Sequence, residues 1–306
     1  MAVTGGHTES LTYDKNGNIL TLQRISNLNT PQVIDQLTYT YDGNQVKRIT
    51  DKSTAYSDYH LYQFTENKQQ TGDHYRYNKN GCMIYNANAN IDSVEYNALG
   101  LPYRVKTKSS TSQFAYDGEG NKLRVGSVTG KSVVYAPVTS LSTRGGDTRS
   151  VSYSKDYIGN KEYVNGKLSR IDVPGGYIKV SGSTQKVYGY QSDYLGSNRV
   201  VLDASNGNNV VQYMRYYPFG LQQRESYWQE LQPYKYSGKE YISFGGLECS
   251  DFGARLYDQS IGRWMCPDPL AEKYYSVSPY VYCMNNPMSY ICLLYTSDAA
   301  DDMQCV

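Results

Sequence analysis

Four charged residues near the C-terminal end of the sequence have types and spacing that could carry out acid–base chemistry: Arg255, Asp258, Arg263 and Asp268. Two carboxyl groups can divide such work, one acting as base toward water and the other as acid. Arginines beside them would balance the negative charge. The alternative is structural: Asp258 closes a turn and the arginines join neighbouring strands by ion pairs. Spacing alone does not decide between the two interpretations.

The elements that would position these residues are predicted to be short strands and turns. Residues 251–257 and 263–265 are predicted strands that flank a turn at 258–262. Residues 270–275 are predicted to form one short helical turn. Strand-like runs, aromatic residues and turn dipeptides alternate in this way from residue 193 to residue 291, which makes this the most strand-rich part of the chain.

A short motif recurs through the first part of the chain: Tyr, then Asp or Asn, two further residues, and Gly. Its copies begin at Tyr13, Tyr77, Tyr96 and Tyr116, with a shortened copy at Tyr41. The Asp or Asn side chain can bond to backbone further along the turn, and Gly supplies the positive φ that closes it. Flanking residues alternate with the period of two typical of strands. We therefore predict hairpins that bury their faces by stacking in an array.

The composition favours wide sheets with partly hydrated faces. The 306 residues include 34 Tyr against 5 Phe and 2 Trp, and only 39% are hydrophobic. Tyrosine combines an apolar ring with a polar hydroxyl, which suits a half-buried sheet surface. The net charge of +1, with acidic and basic residues well mixed, predicts no nucleic-acid partner. No apolar run reaches the roughly 18 residues of a membrane-spanning helix, so no membrane span is predicted.

No metal or cofactor site is predicted. A calcium loop beginning at Asp14 or Asp117 would need an acidic residue where Ile25 or Val128 stands, so turn formation is the better interpretation of these aspartates. The six cysteines form no closely spaced pair, and the three histidines lie far from the cysteine-rich end, which argues against zinc. We therefore interpret the cysteines as free or incidental. Nucleophile-elbow and phosphate-loop motifs are absent from the sequence.

The recurring motif resembles the YD repeats of RHS-family proteins over residues 11–125. From residue 193 onward the sequence resembles the RHS repeat-associated core domain, in the variant found in Bacteroidetes. The markers of this second resemblance are residues 193–197, 216–220, 234–240, 251–258, 261–265, 267–269 and 286–287. The resemblance implies an all-β fold in which YD-repeat β-hairpins form part of a spiralling sheet or shell, closed by the core domain.

The resemblance also divides the chain. It implies a YD-repeat region at 1–125, degenerate repeats and a loop at 126–187, and the core domain at 188–291. Residues 292–306 are instead similar to a translated sequencing adapter, and we expect them to be non-native. The repeat pattern is already established at Leu11 without a secretory signal pattern before it, so we expect a fragment of a longer protein.

The function implied by the resemblance is that of a structural β-shell in a polymorphic toxin that is secreted or held at the cell surface. Its partner would be its own C-terminal effector domain, expected to be missing from this chain. Secretion machinery or cell-surface glycans would be further partners. A Tyr-rich repeat protein that binds carbohydrate or a cell surface is one alternative.

A self-cleaving core is the other alternative, because the family's core domain resembles an autoprotease. On this chain Asp268 matches the catalytic carboxylate and Asp258 the second one, with Arg255 and Arg263 as their charge partners. The chain departs from the family pattern after Ile291, where the cleaved segment would follow. We therefore expect no enzymatic activity from the chain in this form, and self-cleavage only in the full-length protein.

Overall fold

The structure is a computed structural model that describes residues 7–27, 31–54, 63–129, 153–223, 231–243 and 247–292. These residues form strands β1 to β21, numbered in chain order. The strands are Thr8–Tyr13, Ile19–Asn27, Pro31–Asp42, Gln45–Asp51, Tyr75–Tyr77, Met83–Asn86, Ile91–Tyr96, Pro102–Thr107, Ser110–Tyr116, Lys122–Thr129, Tyr153–Ile158, Lys161–Val164, Lys167–Val173, Gly176–Ser181, Thr184–Ser192, Asn198–Asp203, Asn209–Tyr213, Glu240–Ile242, Cys249–Asp251, Leu256–Asp258 and Arg263–Trp264. Short 3₁₀ helices occupy Tyr236–Gly238, Ala271–Lys273 and Cys283–Asn285.

The all-β prediction is confirmed, and the strands form three open sheets. The first sheet contains β1–β4, the large sheet β5–β17 and the C-terminal sheet β18–β21, each in sequence order. All pairings are antiparallel. The His74 amide donates to the Lys47 carbonyl at 2.7 Å, which links the first sheet to the start of the large sheet. Such a meander of hairpins is the arrangement that the repeat motif predicts.

The large sheet continues through the predicted boundaries at residues 125 and 187, since β10 and β15 are both internal strands. The division into regions 1–125, 126–187 and 188–291 stays a prediction. The loop predicted within 126–187 falls on residues 130–152, outside the described residues. Residues 293–306 also lie outside them, so the expected non-native tail stays a prediction.

The repeat turns share one geometry. At Asp14, the side-chain Oδ1 accepts hydrogen bonds from the amides of Asn16 and Asn18, both at 2.8 Å. The Gly17 amide donates to the Asp14 carbonyl at 3.1 Å, and Gly17 has a φ of +75°. The same pattern of bonds recurs at Asn78, Asn97, Asp117 and Asp193. These side chains are engaged by their own turns, as the turn interpretation predicts.

The motif tyrosines connect one turn to another. The hydroxyls of three motif tyrosines, and that of Tyr216 in the C-terminal part, donate to a backbone carbonyl that lies five residues after the Asp or Asn of an earlier turn. The pairs are Tyr41 with Ile19 at 2.7 Å, Tyr96 with Met83 at 2.6 Å, Tyr116 with Pro102 at 3.1 Å, and Tyr216 with Asn198 at 3.0 Å. The rings of Tyr41, Tyr96 and Tyr116 pack against the buried apolar cluster. The tyrosine of the motif thus satisfies a carbonyl and contributes apolar area at once.

The C-terminal segment, which comprises residues 231–243 and 247–292, lies against both repeat sheets. One buried apolar cluster includes Leu22 of the first sheet, Val105 of the large sheet and Leu256 of the C-terminal sheet. A second cluster is mainly aromatic, and in it Tyr257 stacks on Tyr282 with ring centroids 4.1 Å apart. The core therefore lies between the repeat array and the C-terminal segment.

Candidate functional site

Arg255 and Asp268, two of the four predicted site residues, form an ion pair in the C-terminal segment. Arg255 Nη2 donates to Asp268 Oδ2 at 2.7 Å. The guanidinium carbon lies 4.0 Å from the centroid of the Trp264 ring, and the arginine is buried, whereas the Asp268 side chain remains 20% exposed. Burial lowers the pKa of Arg255, and the charge of Asp268 opposes that change. Asp268 thus compensates a buried positive charge, which is costly to leave unpaired.

Asp258 lies in a different environment at the end of β20. Its Oδ1 accepts hydrogen bonds from the Ser260 amide at 3.0 Å and the Ser260 hydroxyl at 2.5 Å. Burial raises the pKa of Asp258, and the bonds from Ser260 act against it. A carboxyl group with a raised pKa stays protonated up to a higher pH, which an acid catalyst requires. Asp258 also lines a small pocket, together with Tyr75, Asn88 and Glu248.

Arg263 points toward the turns of the first sheet. Its guanidinium donates to the Tyr41 hydroxyl at 3.0 Å, Asn18 Oδ1 at 3.1 Å, the Asn44 carbonyl at 2.9 Å and the Ser278 hydroxyl at 3.2 Å. The guanidinium carbon also lies 5.0 Å from the centroid of the Tyr41 ring. All four acceptors are neutral. Arg263 therefore joins the C-terminal segment to the first repeat turns by hydrogen bonds and ring contact.

The structure brings together Arg255 and Asp268 and gives the other two predicted residues separate partners. In the part of the chain that the structure describes, neither a side-chain hydrogen bond nor an ion pair links Asp258 to Asp268, or Arg263 to either aspartate. Asp258 and Arg263 are neighbours across β20 and β21 through their backbones. A dyad that shares a proton needs its carboxyl groups in contact. The catalytic roles of the four residues stay a prediction.

Arg24 is a structurally important residue that the sequence analysis did not single out. It is fully buried on β2 and pairs with Glu9 at 2.7 Å and Asp35 at 2.9 Å. Two further N–H groups donate to the carbonyls of Gln259 at 3.1 Å and Ser260 at 2.8 Å. Arg24 thereby positions the turn that carries the partners of Asp258. The signal that could have identified it is an arginine at an inward-facing strand position.

Glu240, the first residue of β18, is the centre of a second polar cluster that was missed. Lys122 and Lys155 of the large sheet donate to its carboxylate at 2.6 and 2.8 Å, and the Tyr157 hydroxyl donates at 2.9 Å. Lys122 also pairs with Asp251 at 2.5 Å. Burial opposes ionisation of Glu240, but the two lysines outweigh it and lower its pKa to about 2. A charged Glu240 therefore joins the C-terminal sheet to the large sheet.

The described residues contain no group of three or more His, Cys, Asp or Glu side chains placed to hold a metal ion. Among the helices that the structure describes, none is long and apolar enough to cross a membrane. What the site offers chemically is two carboxyl groups in contrasting environments, Asp258 and Asp268. Around them, buried ion pairs hold the C-terminal segment against the repeat sheets.

Comparison with known proteins finds similarity over a small part of much longer chains. No family model matches the sequence. Salivary gland surface protein 1 of Aedes aegypti is 28% identical over 226 residues, which cover 69% of this chain and 6% of that protein.

Two solved structures resemble this chain at low sequence identity. The TcdB2-TccC3-Cdc42 structure is 15% identical with a TM-score of 0.49, and the match covers 92% of this chain and 15% of that chain. The Tc holotoxin pore of Photorhabdus luminescens is 15% identical with a TM-score of 0.47, and that match covers 97% of this chain and 18% of that one. This chain thus spans less than a fifth of each of these three proteins.

Proposed function

We propose that this chain is part of a structural β-shell in an RHS-type toxin, which would enclose and present a C-terminal effector. The observation that carries the proposal is the burial of the C-terminal segment against both repeat sheets. Arg24 and Arg263 join it to the first sheet, and Glu240 joins it to the large sheet. A shell requires a wall, here the repeat sheets, and a closing segment that is held firmly against it, here the C-terminal segment.

The repeat sheets support this proposal because they can be extended. Both are meanders in which each hairpin depends on its neighbour, and both have edge strands. The turn geometry at Asp14 is still present at Asp193, so one rule builds the array over most of its length. Repeat arrays of this kind lengthen by adding units without changing those already present. A longer array would continue the wall.

The proposed partners are the effector, secretion machinery and cell-surface glycans, with a secreted or surface location. The name of the Aedes aegypti relative, a surface protein, agrees with that location. The motif tyrosines give less support to glycan stacking. Tyr41, Tyr96 and Tyr116 pack their rings against the core and bind carbonyls through their hydroxyls, so these faces are not free for sugars.

The test is to express the gene with its genomic flanks and to follow a tagged C-terminal domain during limited proteolysis. A shell predicts that the tagged domain is digested much more slowly inside the extended protein than when it is expressed alone. Negative-stain images should show a hollow particle. Equal digestion rates together with a solid or flat particle would overturn the proposal.

Self-cleavage by the C-terminal segment is a second candidate, favoured by the contrast between Asp258 and Asp268. Asp258 is buried with a raised pKa, as an acid should be, whereas Asp268 is partly exposed and paired with Arg255. The same extended protein should release a C-terminal fragment, and Asp268→Asn should abolish the release. Undiminished release in both Asp268→Asn and Asp258→Asn would exclude a catalytic role for these aspartates.

A further inference from the structure

Residues 81–83, where the repeat turn at Asn78 enters β6, run beside residues 265–267 of the C-terminal segment. The Met83 amide donates to the Met265 carbonyl at 2.8 Å. Two positions away, a Cβ added to Gly81 would lie 2.7 Å from Pro267 Cγ. Residue 81 thus lies beside residue 267 and residue 83 beside residue 265, so the two segments run antiparallel. The pair between them is Cys82 and Cys266, which therefore face each other.

This placement matches the geometry of a disulfide bond. Residues opposite each other in an antiparallel pair have Cα atoms roughly 4.5–5.5 Å apart. A disulfide bond accepts Cα separations of roughly 4.4–6.8 Å. The side chains of Cys82 and Cys266 interact directly, and both thiols are free. Little backbone movement is therefore needed to join the two sulfur atoms.

The environment of the pair also suits thiol–disulfide exchange. Contact with Cys266 lowers the pKa of the Cys82 thiol. The thiolate is the attacking form in exchange, so one of the two thiols attacks first and the other, which lies opposite it, resolves the intermediate. Each residue is 6% exposed. Such burial admits a small oxidant only slowly and excludes a second protein chain as the disulfide partner.

We propose that Cys82 and Cys266 form a disulfide bond that joins the large repeat sheet to the C-terminal segment. The oxidant is a small disulfide such as oxidised glutathione. One of the two cysteine sulfurs attacks it and releases one glutathione thiol; the other cysteine sulfur then attacks the mixed disulfide and releases the second. The two cysteines together lose two protons and two electrons, and the glutathione disulfide gains them. The proposal does not depend on the shell function.

Two other described cysteines provide an internal comparison. Cys249 and Cys283 are free and fully buried, like the proposed pair. Burial raises the pKa of both thiols, and neither has a cysteine as a direct side-chain partner in its surroundings. Burial alone therefore does not distinguish the four thiols. The placement of Cys82 opposite Cys266 distinguishes this pair from Cys249 and Cys283.

The test incubates the reduced full chain in a series of glutathione redox buffers, blocks free thiols and digests with trypsin without reduction. Cleavage after Lys and Arg places Cys82 in peptide 80–104 and Cys266 in peptide 264–273, each with a single cysteine. The expected product is a crosslink between these two peptides, two hydrogen masses below their sum. It should dominate over every pairing of Cys82 or Cys266 with any other cysteine.

Stability provides a second readout. Oxidation should raise the urea midpoint of the wild type, because the bond closes a long loop in the unfolded chain. It should leave the midpoint of Cys266→Ser unchanged, while Cys249→Ser keeps the crosslink. If a variant does not fold, the peptide map of the wild type decides alone. A map that shows both thiols unlinked, or joined only to glutathione, at the most oxidising ratio would overturn the proposal.

Discussion

The repeat sheets and the C-terminal segment are held in place in opposite ways. In the repeat sheets, each strand pairs with its sequence neighbour, and the turns of the repeat motif are closed by their own Asp or Asn, as at Asp14. The strands of the C-terminal sheet contain only two or three residues. Its contacts reach far along the sequence: Arg263 binds Asn18, and the Tyr39 hydroxyl binds the Ile261 carbonyl. One region is organised locally and the other through distant partners.

This difference indicates where stability depends on single residues. A repeat turn that loses one bond keeps its neighbours and the rest of the array. Glu240, a buried charge in the C-terminal segment, has its partners on the large sheet, and removing it leaves two buried lysines with one negative charge fewer between them. Changes in the C-terminal segment and its contacts should therefore cost more than chemically similar changes in the repeats.

The largest effect is expected from Glu240→Gln. The substitution keeps the shape of the side chain but leaves Lys122 and Lys155 without their shared negative charge. Breaking a buried pair in this way costs about 3–5 kcal/mol. Urea unfolding followed by tryptophan fluorescence would measure the loss of free energy of unfolding.

The matched control for this change is Glu95→Gln on the large sheet. Glu95 pairs with Arg104, but its side chain is 39% exposed. Exposed pairs contribute about 0–1 kcal/mol. Equal losses in the two variants would show that the buried cluster at Glu240 is no more important than a surface pair, and the comparison between the regions would fail.

The dependence of stability on pH should show the same cluster. The pKa of Glu240 is lowered from 4.5 to about 2 in the folded protein. Its contribution is therefore fully present above pH 4.5 and is lost as the pH falls toward 2. A shift of this size corresponds to about 3 kcal/mol. The measurement is the unfolding free energy of wild type and Glu240→Gln between pH 6 and 2. The difference between them should shrink with acid, and a constant difference would contradict the assignment.

A comparison of two glycines separates turn strain from contact with the C-terminal segment. Gly81 and Gly100 occupy the same turn position with φ of +78° and +76°. A Cβ at Gly100 would meet nothing within 4 Å, whereas one at Gly81 would lie 2.7 Å from Pro267 Cγ and the Tyr280 hydroxyl. Both alanine variants should lose about 1–2 kcal/mol from backbone strain.

The Gly81→Ala variant should lose about 1–3 kcal/mol more, because the added methyl group overpacks a contact between the regions. Thermal or urea unfolding of both variants measures how much more unfolding free energy Gly81→Ala loses than Gly100→Ala. Matching losses in Gly81→Ala and Gly100→Ala would mean that the C-terminal segment yields freely at this contact.

The turns and strands of the repeat sheets, which depend on local interactions, could be predicted from the sequence. The spacing of Asp117 and Gly120 is enough to predict a turn, since the Asp side chain reaches amides only two and four residues away. Alternating residues then give the strands, and hairpin stacking gives the all-β fold. Asp14 and Asp117, which the sequence analysis interprets as turn residues, each accept hydrogen bonds from amides of their own turns.

The partners of the candidate site could not be predicted in this way. Glu240 and Lys122 are 118 positions apart, and no local pattern links them. The four charged residues at 255, 258, 263 and 268 are close in sequence, but the fold turns Arg263 toward the first sheet and keeps Arg255 with Asp268. Proximity along the chain indicated a cluster, and tertiary packing separated its members.

The smallest effect is expected inside the repeats, from Tyr96→Phe. The hydroxyl donates to the Met83 carbonyl at 2.6 Å, and burial raises the pKa of Tyr96 well above its ordinary value. Losing this bond should cost about 1 kcal/mol, since the carbonyl loses a buried donor.

Tyr103→Phe is the control, because the Tyr103 hydroxyl binds Glu95 at an exposed site and its loss should stay within about 0.5 kcal/mol. Urea unfolding of the two variants measures both losses. If Tyr96→Phe cost as much as Glu240→Gln, the repeats would depend on single residues as strongly as the C-terminal segment. A loss near 1 kcal/mol would show instead that the array spreads its stability over many small local bonds.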